Sequence, residues 1–276
     1  MLRRDGKNPL VSYRGRLAPT PSGYLHLGHA QTFFVAHLRA KAAGGTLILR
    51  HEDLDRARCK AEFVEASEED LQWLGIEWQE GPYFQSRRMP LYAEALEKLK
   101  KSGRVYACAC SRKDIQQAQQ APHQGDDEPL YPGTCRHKAV PESAARSWRF
   151  RVPDGRRVEF EDRAQGPQSY LGGRDFSDFV VWRPDLGPSY QLACAVDDGD
   201  MAITEVVRGL DLLPSTARQI LLLEALDYPL PGYYHCPLVC DEQGRRLAKR
   251  SDALALRTLR ARGEQPDQIL ARFVIR

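Results

Sequence analysis

Arg16-Leu-Ala-Pro-Thr-Pro-Ser-Gly-Tyr-Leu-His-Leu-Gly-His29 is the stretch from which the rest of this chain is read. Residues 16–18 can close a short strand, and Pro19, Pro21 and Gly23 force the chain to turn. From Leu27 onward, Ala30, Phe33, Phe34 and Leu38 recur with helical spacing. His26 and His29 therefore stand where a helix begins, and the outward N–H groups of a helix N-terminus favour a phosphate. Three residues apart, two imidazoles fall on one side of the first turn and can donate to the same anion. Gly28 carries no side chain, so a flat ring such as adenine can approach the backbone there. His-x-Gly-His alone is a common surface pair; the flanking Arg-x-Ala-Pro-x-Pro-x-Gly-x-Leu turns the reading toward a site.

Outward from this loop, Gly44-Gly45 ends the helix and residues 46–50 read as a buried strand, followed by the acidic His51-Glu-Asp-Leu-Asp55. Strand, helix and strand in that order predict a parallel βαβ unit. Ligands of open α/β sheets lie beyond the carboxyl ends of the strands, so the loops at 16–29 and 52–55 are expected to face one crevice. Carboxylates there can hold an amino group. Any one of Glu52, Asp53 and Asp55 taken singly also reads as a solvated, helix-capping turn.

The 276 residues, 42% of them hydrophobic, suffice for one large catalytic domain or for a large domain with a small insert. Seven cysteines and a basic start with no apolar run behind it predict a cytoplasmic chain that uses thiolates or buried thiols rather than disulfides. No apolar run approaches the length that spans a bilayer. A net charge of +3 is too mild to argue for nucleic acid by itself and permits a local basic face.

Further along, residues 61–74 and 87–101 are expected to be scaffold helices, the second with Met89, Tyr92, Leu96 and Leu99 on one stripe. The stretches at 75–78 and 81–86 read as a structured loop, with Trp73, Trp78 and Phe84 as core. Cys108, Cys110 and Cys135 can present thiolates to one metal, with Tyr131, His137 or His123 as fourth ligand. Between them, 116–128 has the composition of a disordered segment. Alternation from 148 to 160 predicts antiparallel strands about an Asp154-Gly155 hairpin turn, expected as an inserted subdomain in the block 106–175 with the metal site. The main sheet is expected to resume at 179–182 and to run on through 188–196 and 203–209. An arginine after a buried Val-Val strand needs an anion, so Arg208 is expected to meet either a protein carboxylate or a substrate, and its bidentate fork suits a carboxylate. Residues 213–226 read as a buried helix opened by Pro214 and Ser215, and 241–244 as a turn before a basic run.

In order, these pieces resemble the class I aminoacyl-tRNA synthetases of the glutamyl type. Within them the resemblance is to the truncated glutamyl-Q branch, which acts on tRNA(Asp). His26-Leu-Gly-His29 matches the first signature of that family, and Arg246-Leu-Ala-Lys-Arg250 stands where its second, Lys-Met-Ser-Lys-Ser, belongs. The match runs from about Tyr13 to Leu256. It implies an α/β fold: a Rossmann-type parallel-sheet catalytic domain in two halves, 1–105 and 176–240, around a zinc-containing insert. A signature loop and short helical tail would follow at 241–276. It implies that Arg16, Leu17, Ala18, Pro19, Thr20, Glu52, Tyr190 and Arg208 hold glutamate. Glu52 would take the α-amino group, and Arg208 with Tyr190 the side-chain carboxylate. His26, Gly28, His29 and Lys249 would handle ATP with its Mg2+, the histidines and Lys249 being catalytic. Cys108, Cys110, Tyr131 and Cys135 fall where the branch places one structural zinc, which raises Tyr131 above the histidines. Arg246 and Ala248 depart from the second signature, keeping charge and losing a hydroxyl.

Only 26 residues follow Arg250, too few for a helical anticodon-reading domain, so the resemblance implies the truncated enzyme, expected as a monomer. Such an enzyme activates glutamate with ATP without needing tRNA. It then transfers the glutamate to the queuosine base in the anticodon of tRNA(Asp). The alternatives are a synthetase core charging tRNA(Glu), a silent glutamate- or tRNA-binding sensor, and a small-molecule nucleotidyltransferase. Intact His26, His29, Glu52 and Lys249 argue against silence, and the leader, Glu52, Arg208 and the cysteines together argue against the last.

Overall fold

The computed structural model describes residues 12–111, 113, 114, 130–239 and 255–273. The segment 116–128, His123, the turn at 241–244 and the second signature with Arg246, Ala248 and Lys249 lie outside the described residues. In chain order the elements are β1 (Arg14–Leu17), α1 (Leu27–Ala42), β2 (Thr46–His51), α2 (Ala61–Trp73), β3 (Glu80–Phe84), α3 (Met89–Lys101) and β4 (Val105–Cys108). They continue with β5 (Ser147–Phe150), β6 (Arg157–Asp162), β7 (Gly166–Leu171), β8 (Phe179–Arg183), β9 (Gly187–Pro188) and α4 (Tyr190–Asp200). The chain then adds β10 (Glu205–Gly209), α5 (Leu213–Ala225), β11 (Gly232–Cys236), α6 (Leu256–Ala261) and α7 (Pro266–Leu270). No described helix is long and apolar enough to cross a membrane.

The described residues within Met1–Gln85, Ala202–Leu210 and Pro231–Arg276 form one compact unit. The βαβ unit read from the sequence is present: β1 and β2 pair in parallel, with Arg16 opposite Ile48 and Leu17 opposite Leu49. The helix between them returns to the sheet at Gly45, where a Cβ would meet the Tyr13 carbonyl oxygen at 2.5 Å, so only glycine fits. The expected loop at 81–86 is corrected, because Glu80–Phe84 adds a third parallel strand against β2. Gly81-Pro82 at its start is what made it read as a loop. β10 and β11 form a second parallel pair. Leu17, Phe33, Val35, Leu49 and Leu71 share one buried cluster with Val207, Tyr234, Leu256 and Ile269.

At the foot of β10, buried Glu205 accepts from Tyr13 Oη at 2.9 Å and from Arg39 Nε and Nη2 at 2.7 and 2.8 Å. This carboxylate ties α1 to β10, and it pushes the Tyr13 phenol up, burial being the larger cause.

The described residues within Ser86–Met201 and Asp211–Leu230 form the second unit. Its sheet is antiparallel in the order β4-β5-β8-β9, and β6 with β7 makes a hairpin. Two expectations change here. A turn does fall at Asp154-Gly155, with Gly155 at φ 64°, but it joins strands with different partners. β5 pairs with β4 and β8, and β6 with β7, so the hairpin lies one turn later. Residues 190–200 are a helix, not a continuation of the main sheet, and β8 belongs to the antiparallel sheet. Ser189 caps that helix, its hydroxyl accepting from the Leu192 N–H at 3.4 Å. Leu192 to Val196 are buried in succession, so the run has no polar face to betray its period. Asp197, fully buried, is satisfied by Tyr92 Oη at 2.9 Å and Arg88 Nε at 2.7 Å, which fixes α3 to α4.

One buried group of the first unit sets a pH dependence. Asp70 on α2 is 2% exposed, and its Oδ2 has no hydrogen-bond partner among the described residues. Burial pushes its pKa from 3.8 up to about 6; Glu69 adds to this, while Arg260 and Arg257 on α6 pull it back. An acid whose pKa rises on folding binds its proton more tightly in the native state. Asp70 therefore favours folding below about pH 3.8, and that contribution is lost as pH rises through about 6. Asp70→Asn should stabilise the chain by on the order of 2 kcal/mol at neutral pH, with the gain shrinking as the pH is lowered through the Asp70 pKa. Urea unfolding across that range measures it, and a gain that does not change with pH would contradict the assignment.

Candidate active site

His26 is the N-cap of α1 and His29 the third residue of the helix. His26 Nδ1 accepts from the Gly28 N–H at 3.1 Å, and His29 Nδ1 accepts from the His26 N–H at 3.2 Å. The rings lie 3.9 Å apart between centroids, tilted by 33°. Since both Nδ1 atoms accept, each neutral ring carries its proton on Nε2. A Cβ at Gly28 would sit 3.1 Å from the His26 ring, so the glycine also protects this ring geometry.

The loop ahead of the helix is pinned by backbone. Pro19 O accepts from the Glu52 N–H at 2.9 Å and Pro21 O from the Lys60 N–H at 3.2 Å, which joins the 16–29 loop to the end of β2. Leu25 O accepts from the Leu256 N–H at 2.8 Å, and Ala255 bridges to His26. The start of α6 is thus tied directly to the first signature.

Buried guanidinium groups crowd the carboxyl ends of the parallel strands. Arg16, 4% exposed, donates from Nη1 to Val207 O at 2.9 Å. Its neighbour in chain order there, Arg208, donates from Nε to His235 Nε2 at 3.0 Å. Arg50 is fully buried and donates from Nη2 to Glu52 Oε1 at 3.2 Å. Leu17 and Pro19 are buried, Ala18 half-buried and Thr20 exposed on the connecting loop. Glu52 is buried, whereas Asp55 pairs at the surface with Arg58 at 2.6 Å, a hydrogen bond that holds its carboxyl below the usual range. Glu52 and Asp55 therefore part company. Tyr190 opens α4 in the second unit, and Lys249 is outside the described residues.

Arg50 and His235 were not singled out from the sequence. Residues two apart on a strand share a face, so Arg50 was legible as a partner for Glu52. His235 sits in the run Tyr-Tyr-His-Cys, where nothing marks one aromatic residue from the next.

In the second unit, the Sγ atoms of Cys108, Cys110 and Cys135 all lie within 4.8 Å of one another. Cys110 Sγ is 3.6 Å from Cys135 Sγ, close to the roughly 3.7 Å that tetrahedral Zn–S bonds impose. Tyr131 Oη lies 3.4 Å from Cys108 Sγ and 3.7 Å from Cys110 Sγ, and accepts from the Cys135 N–H at 2.7 Å. His137 is exposed, and His123 is outside the described residues. Arg149 Nε donates to Cys108 Sγ at 3.4 Å, and its guanidinium stacks 3.9 Å from the Tyr131 ring. Burial opposes ionisation of Cys108, yet hydrogen bonds from Tyr131 and Arg149 bring the thiol below its ordinary value, while burial pushes Cys110 up to about 11. Three convergent thiols with a phenol among them could hold a soft-ligand divalent metal.

The model of tRNA synthetases class I (E and Q), catalytic domain, matches residues 12–276, and the chain belongs to that family. It is 47% identical over 272 residues to the glutamyl-Q tRNA(Asp) synthetase of Symbiobacterium thermophilum, a match over 93% of this chain and 84% of that one. It is 40% identical to the glutamate–tRNA ligase of Desulfosudis oleivorans, over 94% of this chain and 55% of that one. Among solved structures, a glutamate tRNA ligase from Elizabethkingia meningosepticum superposes with a TM-score of 0.76 at 29% identity, over 87% of this chain and 52% of that one. The chain thus spans about half the length of these two ligases. It is a glutamyl-tRNA synthetase-like catalytic domain with a parallel sheet, a ligase of the aminoacyl-tRNA synthetase type.

Proposed function

We propose that this chain activates glutamate with ATP, without needing tRNA, and transfers it to the queuosine base in the anticodon of tRNA(Asp). The observation that carries the activation step is the set of buried charges at the strand ends. Arg16 donates to the Val207 carbonyl and Arg208 to the His235 ring, and Glu52, buried just after β2, accepts from Arg50. Such a set suits a dicarboxylic amino acid: Glu52 takes the α-amino group, and Arg208, with Tyr190, the side-chain carboxylate. The choice of acceptor is supported by the relatives named glutamyl-Q tRNA(Asp) synthetase, which are 42–47% identical.

In the first half-reaction the α-carboxylate oxygen of glutamate attacks the α-phosphorus of ATP. Pyrophosphate leaves with the bonding electron pair, and glutamyl-adenylate remains. No covalent bond to the protein is needed. The helix N-terminus and the Nε2 protons of His26 and His29 would meet negative charge as it develops, Lys249 would reach the phosphates, and Mg2+ would accompany ATP. In the second half-reaction a hydroxyl of the queuosine ring attacks the activated carbonyl and AMP leaves. The three cysteines and Tyr131 would hold one structural zinc in the second unit, where few apolar side chains pack around them.

Labelled glutamate, supplied with ATP, is expected to appear on tRNA(Asp) that contains queuosine and to be absent from tRNA(Asp) without it and from tRNA(Glu). Label on tRNA(Glu) alone would overturn the choice of acceptor. Purified chain should carry about one zinc, and Cys108→Ser or Cys135→Ser should lower that to a small fraction and reduce the melting temperature by several degrees. A metal content unchanged by either substitution would refute the proposed ligand set.

A further inference from the structure

Arginines that act as struts in this fold are locked by carboxylates. Arg14 meets Glu80 with two bonds of 2.8 and 2.9 Å, Arg39 meets Glu205 with two, and Arg88 reaches Asp197 and Asp200 at 2.7 Å each. Arg218, in the second turn of α5, is different. It is 7% exposed, and no described residue accepts a hydrogen bond from its guanidinium or forms an ion pair with it. Its Nε is sealed from solvent without a partner, so the two Nη groups are the edge that a ligand can reach. A guanidinium does not escape burial by shedding its proton. A charge left in that condition costs the fold free energy, which an anion from outside the chain would return.

Two neighbours in the same unit add neutral groups. Ser215 lies three residues before Arg218 and so on the same side of α5. Its Oγ accepts from Gln191 Nε2 at 3.0 Å, a bond that joins α5 to the first turn of α4 and leaves the hydroxyl proton free to donate. The Oε1 of Gln191 is also buried without a partner. Turned over, the same amide would accept from Ser215 through Oε1 and offer its N–H groups instead. The contact between α4 and α5 therefore holds one uncompensated positive charge together with a hydroxyl and an amide that can both donate.

Building on the glutamate-transferring reading above, we propose that Arg218, with Ser215 and Gln191, receives a backbone phosphodiester of the acceptor RNA. In that reading one carboxylate of glutamate goes to Arg208 with Tyr190 and the other reacts, so phosphate groups are the anions left to place. A phosphodiester carries a single negative charge, which one guanidinium matches, and the planar fork suits its paired oxygens. Such a contact carries no base information; it fixes the register of the RNA on the protein. Gln191 directly follows Tyr190, so the turn of α4 that is read as meeting the glutamate side chain would also carry a contact to the RNA.

The test uses the full chain and whichever tRNA takes label from the parent, comparing Arg218→Met and Arg218→Lys. Met keeps the apolar stem and drops the charge; Lys keeps the charge and drops the fork. Met is expected to raise the KM for tRNA about tenfold and to flatten by about one the slope of log binding constant against log salt. Lys is expected to keep that slope and to raise the KM only a few-fold, about threefold. The KM for ATP, read by ATP–pyrophosphate exchange, separates the two sources of phosphate. A rise in that KM with tRNA binding unchanged would overturn the choice of RNA in favour of the nucleotide. Parental KM values and salt slope in Met would mean that the guanidinium meets water only, and would overturn the inference. So would a fall in melting temperature and kcat with the slope intact, which is the mark of a strut. Should Met fail to fold, Ser215→Ala decides beside Lys: it is expected to raise the KM for tRNA about threefold, and no change in either variant overturns the inference. A parent that transfers glutamate to no tRNA would overturn the reading on which this site rests, whereas a parent that transfers and a Met variant with parental tRNA binding would overturn the site alone.

Discussion

The first unit is built around positive charge held out of water. Arg16, Arg50 and Arg208 are buried at the carboxyl ends of parallel strands. A buried guanidinium is tolerated only where its N–H groups find acceptors. The chain provides them from its own main elements: a strand carbonyl at Val207, a ring at His235 and a carboxylate at Glu52. Each of these acceptors sits on or directly after a parallel strand, so the register of β1 with β2 and of β10 with β11 fixes where the charges lie. A slip of one residue in either pair would turn these side chains to the opposite face. The sheet is therefore a device for placing charge, and its apolar core is what keeps the register from slipping.

The same strands end in the loop that carries the two histidines. Backbone bonds from Pro19, Pro21 and Leu25 tie that loop to the end of β2, to the start of α2 and to the start of α6. Charge placement at the strand ends and imidazole placement at the helix N-terminus are thus coupled through main-chain bonds rather than through long side chains. The second unit solves a different problem. Around Cys108, Cys110, Tyr131 and Cys135 the buried cluster is small, and it is cross-linked by polar contacts: Arg149 donates to Cys108 Sγ, and Cys108 Sγ donates to the Tyr131 hydroxyl.

Much of the first unit was legible because its signals are local. The periodicity from Leu27, the prolines of the preceding loop and the Gly44-Gly45 stop specify a helix with histidines at its start without help from distant residues. Reading failed where the deciding information was tertiary. Residues 190–200 are buried almost throughout, and a run of small apolar residues with no exposed face reads equally well as a strand. Gly81-Pro82 reads as a loop, yet it opens a strand that the free edge of β2 accepts. The Asp154-Gly155 turn was visible, but which strands pair on either side of it depends on partners far along the chain. At the site, Arg208 was expected to meet an anion; that its Nε finds a neutral ring follows only from the alignment of β10 with β11.

The measurement that bears most directly on this account is a crystal structure of the chain with a non-hydrolysable glutamyl-adenylate analogue. The account predicts the side-chain carboxylate on the Nη edge of Arg208, with Nε still on His235. It also predicts the amino group on Glu52 and the adenine against Gly28 beside His26 and His29. A ligand whose side-chain carboxylate is bound elsewhere, with Arg208 making no contact to it, would contradict the central claim that these buried charges are arranged to receive glutamate.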